Sequence, residues 1–142
     1  MNFPIISSLI LLPIVGAIFI LISKSGENQN YKSSKYVALF VSSVNFFISL
    51  YLWYVFDPNL SKFQFVETRT WLKGLINYKV GVDGISILFI VLSTFITPLC
   101  IISVNKTVKN KLKDFLIAIL LMESLMIGVF SSLDLVIFYL FF

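Results

Sequence analysis

Apolar residues in this chain run in long uncharged stretches, and the polar residues gather in the short pieces between them. Residues 3–23, 36–56 and 84–104 hold no charged side chain. A helix needs about 20 apolar residues to cross the roughly 30 Å hydrocarbon core of a bilayer. Each run therefore predicts one membrane-spanning helix. The fourth run, 115–142, carries no Lys or Arg and only Glu123 and Asp134 as acids. It is too long for one span and too short for two. Ser131-Ser132-Leu133-Asp134 divides it, because serine and aspartate favour caps over helix interiors. The pattern predicts a span at 115–132 and the start of a fifth helix at 134, with only about 12 Å of helix left to form.

Between the second and third runs the period changes. Ile76, Tyr78, Val80 and Val82 alternate with Asn77, Lys79, Gly81 and Asp83. That is the period of two of a strand. Residues 62–71 alternate less cleanly, with Phe63, Phe65 and Trp71 expected on one side. Lys73-Gly74 separates the two segments, so a β-hairpin lying on the membrane surface is predicted over 62–82. A lone hairpin is marginal in water, so its apolar face should pack on helix ends or on a neighbouring subunit.

Composition agrees with the pattern. Hydrophobic residues make up 58% of the chain and charged residues 13%, against about a quarter charged in soluble domains. The fold class is an all-α integral membrane helix bundle: a single membrane domain over 1–142, with four spans, the start of a fifth and an outward hairpin. Its net charge of +4 is no nucleic-acid signal, because the basic residues sit in short links. Links 24–35 and 105–114 hold seven Lys against two acids, while 57–83 is nearly balanced. The positive-inside rule places the two lysine-rich links in the cytoplasm or matrix. The N-terminus, the hairpin and the Ser131–Asp134 turn then face outward, in a bacterial inner or mitochondrial inner membrane. No Lys or Arg precedes the first run and no small-residue cleavage pattern follows it, so it reads as a retained helix rather than a signal peptide.

The chain has no His and one Cys, Cys100. Haem ligation by His, a structural zinc site and an internal disulfide are excluded, and no Gly-rich nucleotide loop is present. No cofactor is expected in this chain, and any redox chemistry belongs to partner chains. Cys100 reads as a small packing residue. Pro13 and Pro98 read as kinks tolerated against neighbouring helices. Ser42, Ser43 and Asn45 lie well inside the second span, where such side chains bond across helices.

Glu123 lies near the bilayer midplane, where a charge costs on the order of 2.5–3.5 kcal/mol. No Lys or Arg of this chain shares its depth. Two readings stand: an acid on a proton pathway, or a protonated acid hydrogen-bonded to a neighbouring helix. Asp134 is the second proton-pathway candidate and equally a cap for the fifth helix. Asp83 sits where the N-cap of the third span belongs, with its charge at the favourable helix end.

Several stretches taken together resemble a known family. They are Phe65-Val66-Glu67, Trp71, Tyr78-Lys79-Val80-Gly81-Val82-Asp83-Gly84-Ile85-Ser86, Thr97-Pro98-Leu99, Gly128-Val129-Phe130, Leu133-Asp134-Leu135 and Phe138-Tyr139-Leu140-Phe141-Phe142. The set resembles the antiporter-like membrane subunits of complex I, the NADH:quinone oxidoreductase, and most of all the branch called chain M in bacteria and subunit 4 in mitochondria. The resemblance covers 63–142 at the level of motifs and only hydropathy before that. It implies proton translocation driven by quinone reduction elsewhere, with other complex I membrane subunits and the lipid bilayer as partners and no nucleic acid. NADH, flavin, iron–sulfur clusters and quinone would all sit on other subunits. Asp83 and Asp134 fall on acidic positions of the family motifs, and Glu123 on one that is not uniformly acidic. In the family an essential glutamate directly follows the aromatic pair ending the last motif, and its lysine partner lies on a later helix. The chain here ends at Phe142, so the expectation is an N-terminal fragment, inactive alone. Two other readings remain: a subunit fragment of a related cation/proton antiporter or membrane hydrogenase, and a small non-transporting assembly element.

Overall fold

The computed structural model describes residues 4–23, 30–71, 76–104 and 111–142, and of residues 30, 31 and 71 the backbone alone. The elements are α1 (Ile5–Ile22), α2 (Asn30–Val55), β1 (Gln64–Trp71), β2 (Ile76–Val82), α3 (Gly84–Ser103), α4 (Leu112–Ser131) and α5 (Leu135–Phe141). Among the described residues α1, α2, α3 and α4 are long and apolar enough to cross a membrane. The fold class is thus the one the sequence predicts, a multi-span helical membrane protein with a small antiparallel hairpin. Helix ends differ from the apolar limits. α2 begins at Asn30, before the uncharged run, and α4 at Leu112, because a polar first turn solvated outside the bilayer continues a helix without penalty. Both α1 and α3 run unbroken through Pro13 and Pro98.

α1 and α3 each lie against both α2 and α4, and α2 also touches α4. At the α1–α2 contact a Cβ on Gly16 would come within 2.8 Å of Val41 Cγ1, so this approach needs glycine. The buried apolar residues form two clusters. One holds Ile6, Leu9, Ile10, Leu52, Val80, Val82, Ile87, Ile90 and Ile127, beside the hairpin. The other holds Ala17, Ile20, Ala38, Ile101, Leu116 and Leu120, toward the opposite end. Phe19, Phe40, Phe47, Leu88 and Met122 are exposed around the outside of the bundle, as a lipid-facing surface allows. Cys100 is exposed there too, so it is not a packing residue among these helices: the buried face of α3 passes from Thr97 to Ile101, and Cys100 lies beside it.

β1 and β2 pair antiparallel from Trp71↔Ile76 to Glu67↔Val80, and then slip before Gln64↔Val82. Phe65 and Val66 therefore oppose Gly81 alone, a bulge. Phe65 has φ 54°, in the left-handed region that one type of bulge uses and a bulky side chain resists. A Cβ on Gly81 would come within 2.7 Å of Leu133 and 3.1 Å of Val66. The bulge turns Phe65 onto the core while Phe63, just before the strand, is exposed; the expected common side for these two is lost. Ile76 and Tyr78 are half-buried, Val80 and Val82 buried, and Asn77 and Lys79 exposed. The turn expected at Lys73-Gly74 and the side chain of Trp71 lie outside the described residues. Val80 also bridges Ser132, and Leu133 N–H donates to the Lys79 carbonyl at 2.9 Å. The link between α4 and α5 is thereby tied to the second edge of β2.

The two ends of the bundle carry opposite capping groups. At the hairpin end, Pro4 gives α1 no side-chain cap. Glu67 of β1 supplies one: its carboxylate accepts from Ile6 N–H at 2.8 Å, from Ser7 N–H at 3.3 Å and from the Ser7 hydroxyl. At the other end, Lys113 Nζ donates to the carbonyls of Leu21 at 3.2 Å and Ser23 at 2.6 Å, and Lys35 Nζ to that of Ile102 at 3.3 Å. Acids at helix N-termini and lysines at C-termini both complement the helix dipole.

Candidate functional site

Between the two apolar clusters the buried faces turn polar. On α2, Ser42, Asn45 and Ser49 recur at helical spacing; on α3, Ser93, Thr94 and Thr97; on α4, Glu123 and Ser124. All are buried. Period alone aims these residues inward, since each continues the stripe of apolar residues above and below it. Much of their hydrogen bonding is spent on their own helices. Ser93 donates to the Phe89 carbonyl at 2.8 Å, Thr97 to that of Ser93 at 3.0 Å and Ser42 to that of Leu39 at 3.1 Å.

Three bonds described within this layer cross between helices. Ser49 and Thr94 hydroxyls share a bond of 2.7 Å. Ser124 donates to the Ile10 carbonyl at 2.7 Å, one residue after the carbonyl of Leu9 that Pro13 leaves without its helical N–H. Asn45 Nδ2 donates to Glu123 Oε1 at 2.8 Å. Glu123 is only 2% exposed and Asn45 fully buried. Asn45 Oδ1 and Glu123 Oε2 are buried with no hydrogen-bond partner, and no other described side-chain atom is in that state. The arrangement is a polar layer sealed above and below by apolar side chains, with one acid in it.

The other two predicted site residues lie elsewhere. Asp83 Oδ1 accepts from Ser86 N–H at 2.7 Å at the start of α3. Hydrogen bonding from Ser86, side chain and then backbone, holds its carboxyl below the usual value. Asp134 Oδ1 accepts from Val136 N–H at 2.8 Å at the start of α5. Both cap helices at the hairpin end, and Glu123 stands about 12 Å of helix below Ser131. The structure does not bring the three acids together. Among the described residues no group of three or more Asp, Glu or Cys could hold a metal.

No family model matches the chain. Curated relatives do. The chain is 46% identical over 139 residues to NADH-quinone oxidoreductase subunit M of Rhodobacter capsulatus, 97% of this chain and 27% of that one. It is 43% identical over 143 residues to subunit M of Rickettsia prowazekii, 100% of this chain and 29% of that one. It is 43% identical over 138 residues to NADH-ubiquinone oxidoreductase chain 4 of Marchantia polymorpha, 96% and 27%. This chain is homologous to the M/4 subunits.

The homology runs through 1–62, where motifs offered nothing and only hydropathy agreed. The chain spans less than a third of the length of the M/4 subunits it matches. Glu67 is the residue that motif reading passed over. It lies within Phe65-Val66-Glu67, one of the M/4-like stretches, and its bond to α1 crosses 61 residues of sequence. One signal was available: a helix opening on Pro4 with no capping side chain, and a single acid within the strand pattern. Tyr78 joins the same contact, its hydroxyl 3.1 Å from that of Ser7. Burial pushes the Tyr78 phenol above its ordinary value, against a lowering by the Ser7 bond.

Proposed function

We propose that this chain furnishes membrane helices of the proton-translocating, antiporter-like subunit of an NADH:quinone oxidoreductase. The homology to M/4 subunits at 43–46% identity over nearly the whole chain carries the reading. The sealed polar layer around Glu123 supports it, because an acid is costly to keep among packed helices at membrane depth and is a mark of ion and proton routes. Proton work falls to Glu123, and Asp134 and Asp83 act as caps whose carboxylates are already engaged. The chain takes its electrons' worth of driving force from other subunits, which hold the nicotinamide, flavin, iron–sulfur and quinone chemistry. The lysine ends of α2 and α4 face the cytoplasm or matrix, and the hairpin and N-terminus face outward.

The test is co-assembly. An affinity-tagged copy of the chain, expressed in its own membrane and extracted in mild detergent, should migrate on native gels with the band that oxidises NADH. Recovery at small size, free of the redox subunits, would overturn the proposal.

A further inference from the structure

The unspent oxygens of the Asn45–Glu123 pair define what the pair can bind. Asn45 Nδ2–H occupies Glu123 Oε1 at 2.8 Å, and Asn45 Oδ1 and Glu123 Oε2 are left without partners. A buried acceptor left without a donor is destabilising, and more so when it is charged. An ionised carboxylate only accepts, so it can offer nothing to Asn45 Oδ1, whereas a carboxylic acid has one O–H to donate. Amide and carboxyl groups are planar forks of nearly equal size. A first bond between one prong of each turns the second prongs toward one another when the forks are coplanar.

We propose that Asn45 and Glu123 form a proton-binding site, closed as an acid–amide ring: Asn45 Nδ2–H on Glu123 Oε1, and a proton on Glu123 Oε2 donated to Asn45 Oδ1. One proton satisfies both orphaned oxygens and removes the charge from the bundle interior. A metal cation fits less well. Hard cations such as calcium take six to eight oxygens, and the nearby hydroxyls are engaged, Ser49 with Thr94 and Ser124 with the Ile10 carbonyl. Nothing described supplies a counter-charge. α1 has no titratable side chain, and α3 has only Cys100, exposed. On α2 the lysines Lys32 and Lys35 with Tyr36 lie at one end and Tyr51 and Tyr54 toward the other. On α4 itself Lys113 and Asp114 lie in the first turn. Tyr78 and Lys79 of β2 and Tyr139 of α5 are at the hairpin end.

The site needs only the folded chain in a bilayer, so its test is independent of respiratory assembly. The full chain in lipid bilayers is compared with Glu123→Gln by infrared spectroscopy at neutral pH. Expected is a protonated-carboxyl C=O band present in the unmodified chain, lost in Glu123→Gln and shifted in Asn45→Leu. Glutamine carries an N–H where the acid carries its proton, so Glu123→Gln should keep the thermal unfolding midpoint while Glu123→Ala lowers it. A carboxylate band in place of the acid band would overturn the proposal. So would an equal loss of midpoint in Gln and Ala, or an acid band unmoved by Asn45→Leu. A band or midpoint that follows sodium concentration at fixed pH would replace the proton with a cation.

Discussion

Asp83 and Tyr78 titrate in opposite senses, and both sit outside the spans where solution pH reaches them. The fold lowers the Asp83 carboxyl through its bonds from Ser86, so the unfolded chain binds that proton more tightly. The stability it contributes is present above the ordinary aspartate range and is lost as pH falls through the folded value. Asp83→Ala should cost about 1 kcal/mol, the usual worth of an N-cap, and Asp83→Asn should flatten the acid limb of a thermal-unfolding pH series. Tyr78 is raised by burial, so the folded chain holds its proton more tightly. Its contribution is complete below the ordinary phenol value and lost as pH rises through the folded one, and Tyr78→Phe should blunt the alkaline limb of the same series. Caps such as Asp83 and Asp134 were legible because cap and helix are neighbours in sequence. The Asn45–Glu123 bond was half legible. Periodicity aims each inward, and burial demands a partner across helices, but the helix register that joins residues 78 apart is set by packing.

The hairpin acts as an element that closes the bundle, because Val80 and Val82 are members of its apolar cluster. Their alternation was readable, so which face of β2 turns inward was readable too. The bulge was not: Phe65 at positive φ and Gly81 opposite it make sense only with Leu133 in place against them. Val80→Ser should lower stability by about 2 kcal/mol through lost burial, seen as a lower unfolding midpoint with insertion unchanged. Glu67→Gln keeps an acceptor and loses its charge, which should cost about 1 kcal/mol. Hydrogen exchange at the Ile6 and Ser7 amides should quicken while α3 and α4 amides hold their rates. At the α4–α5 contact a Cβ on Gly128 would come within 2.5 Å of the Phe141 ring. Gly128→Leu should therefore push α5 off α4, at roughly 1–3 kcal/mol for overpacking, with faster exchange confined to α5 and the 132–134 link.

At the scale of the molecule, the four helices long enough to span among the described residues and the two oppositely capped ends imply a topology that labelling can read. In a Cys100→Ser background, cysteine at exposed Asn59 should react with an impermeant reagent from outside, and cysteine at exposed Lys111 only after permeabilisation. The reverse pattern would invert the assignment. A proton route needs ionisable groups on several facing helices, and the described interior holds one, Glu123. Liposomes containing this chain alone should show no proton flux under an imposed potential. A flux abolished by Glu123→Gln would refute that. Span number and hairpin were written in hydropathy and period, which are local quantities. The polar layer with its two apolar seals depends on how four helices align in depth, and only the assembled bundle displays it.

The carboxylate that completes α1 arrives late. Ile6 and Ser7 wait for Glu67, about sixty residues behind them. At synthesis rates of roughly 5–20 residues per second, that is a delay of about 3–12 s. For that interval α1 stands without the carboxylate that bonds its leading amides in the folded chain, and the hairpin is what supplies it. The cap of the first helix therefore comes from the middle of the chain, and a chain cut before residue 67 should exchange its Ile6 and Ser7 amides faster than one carried past residue 82.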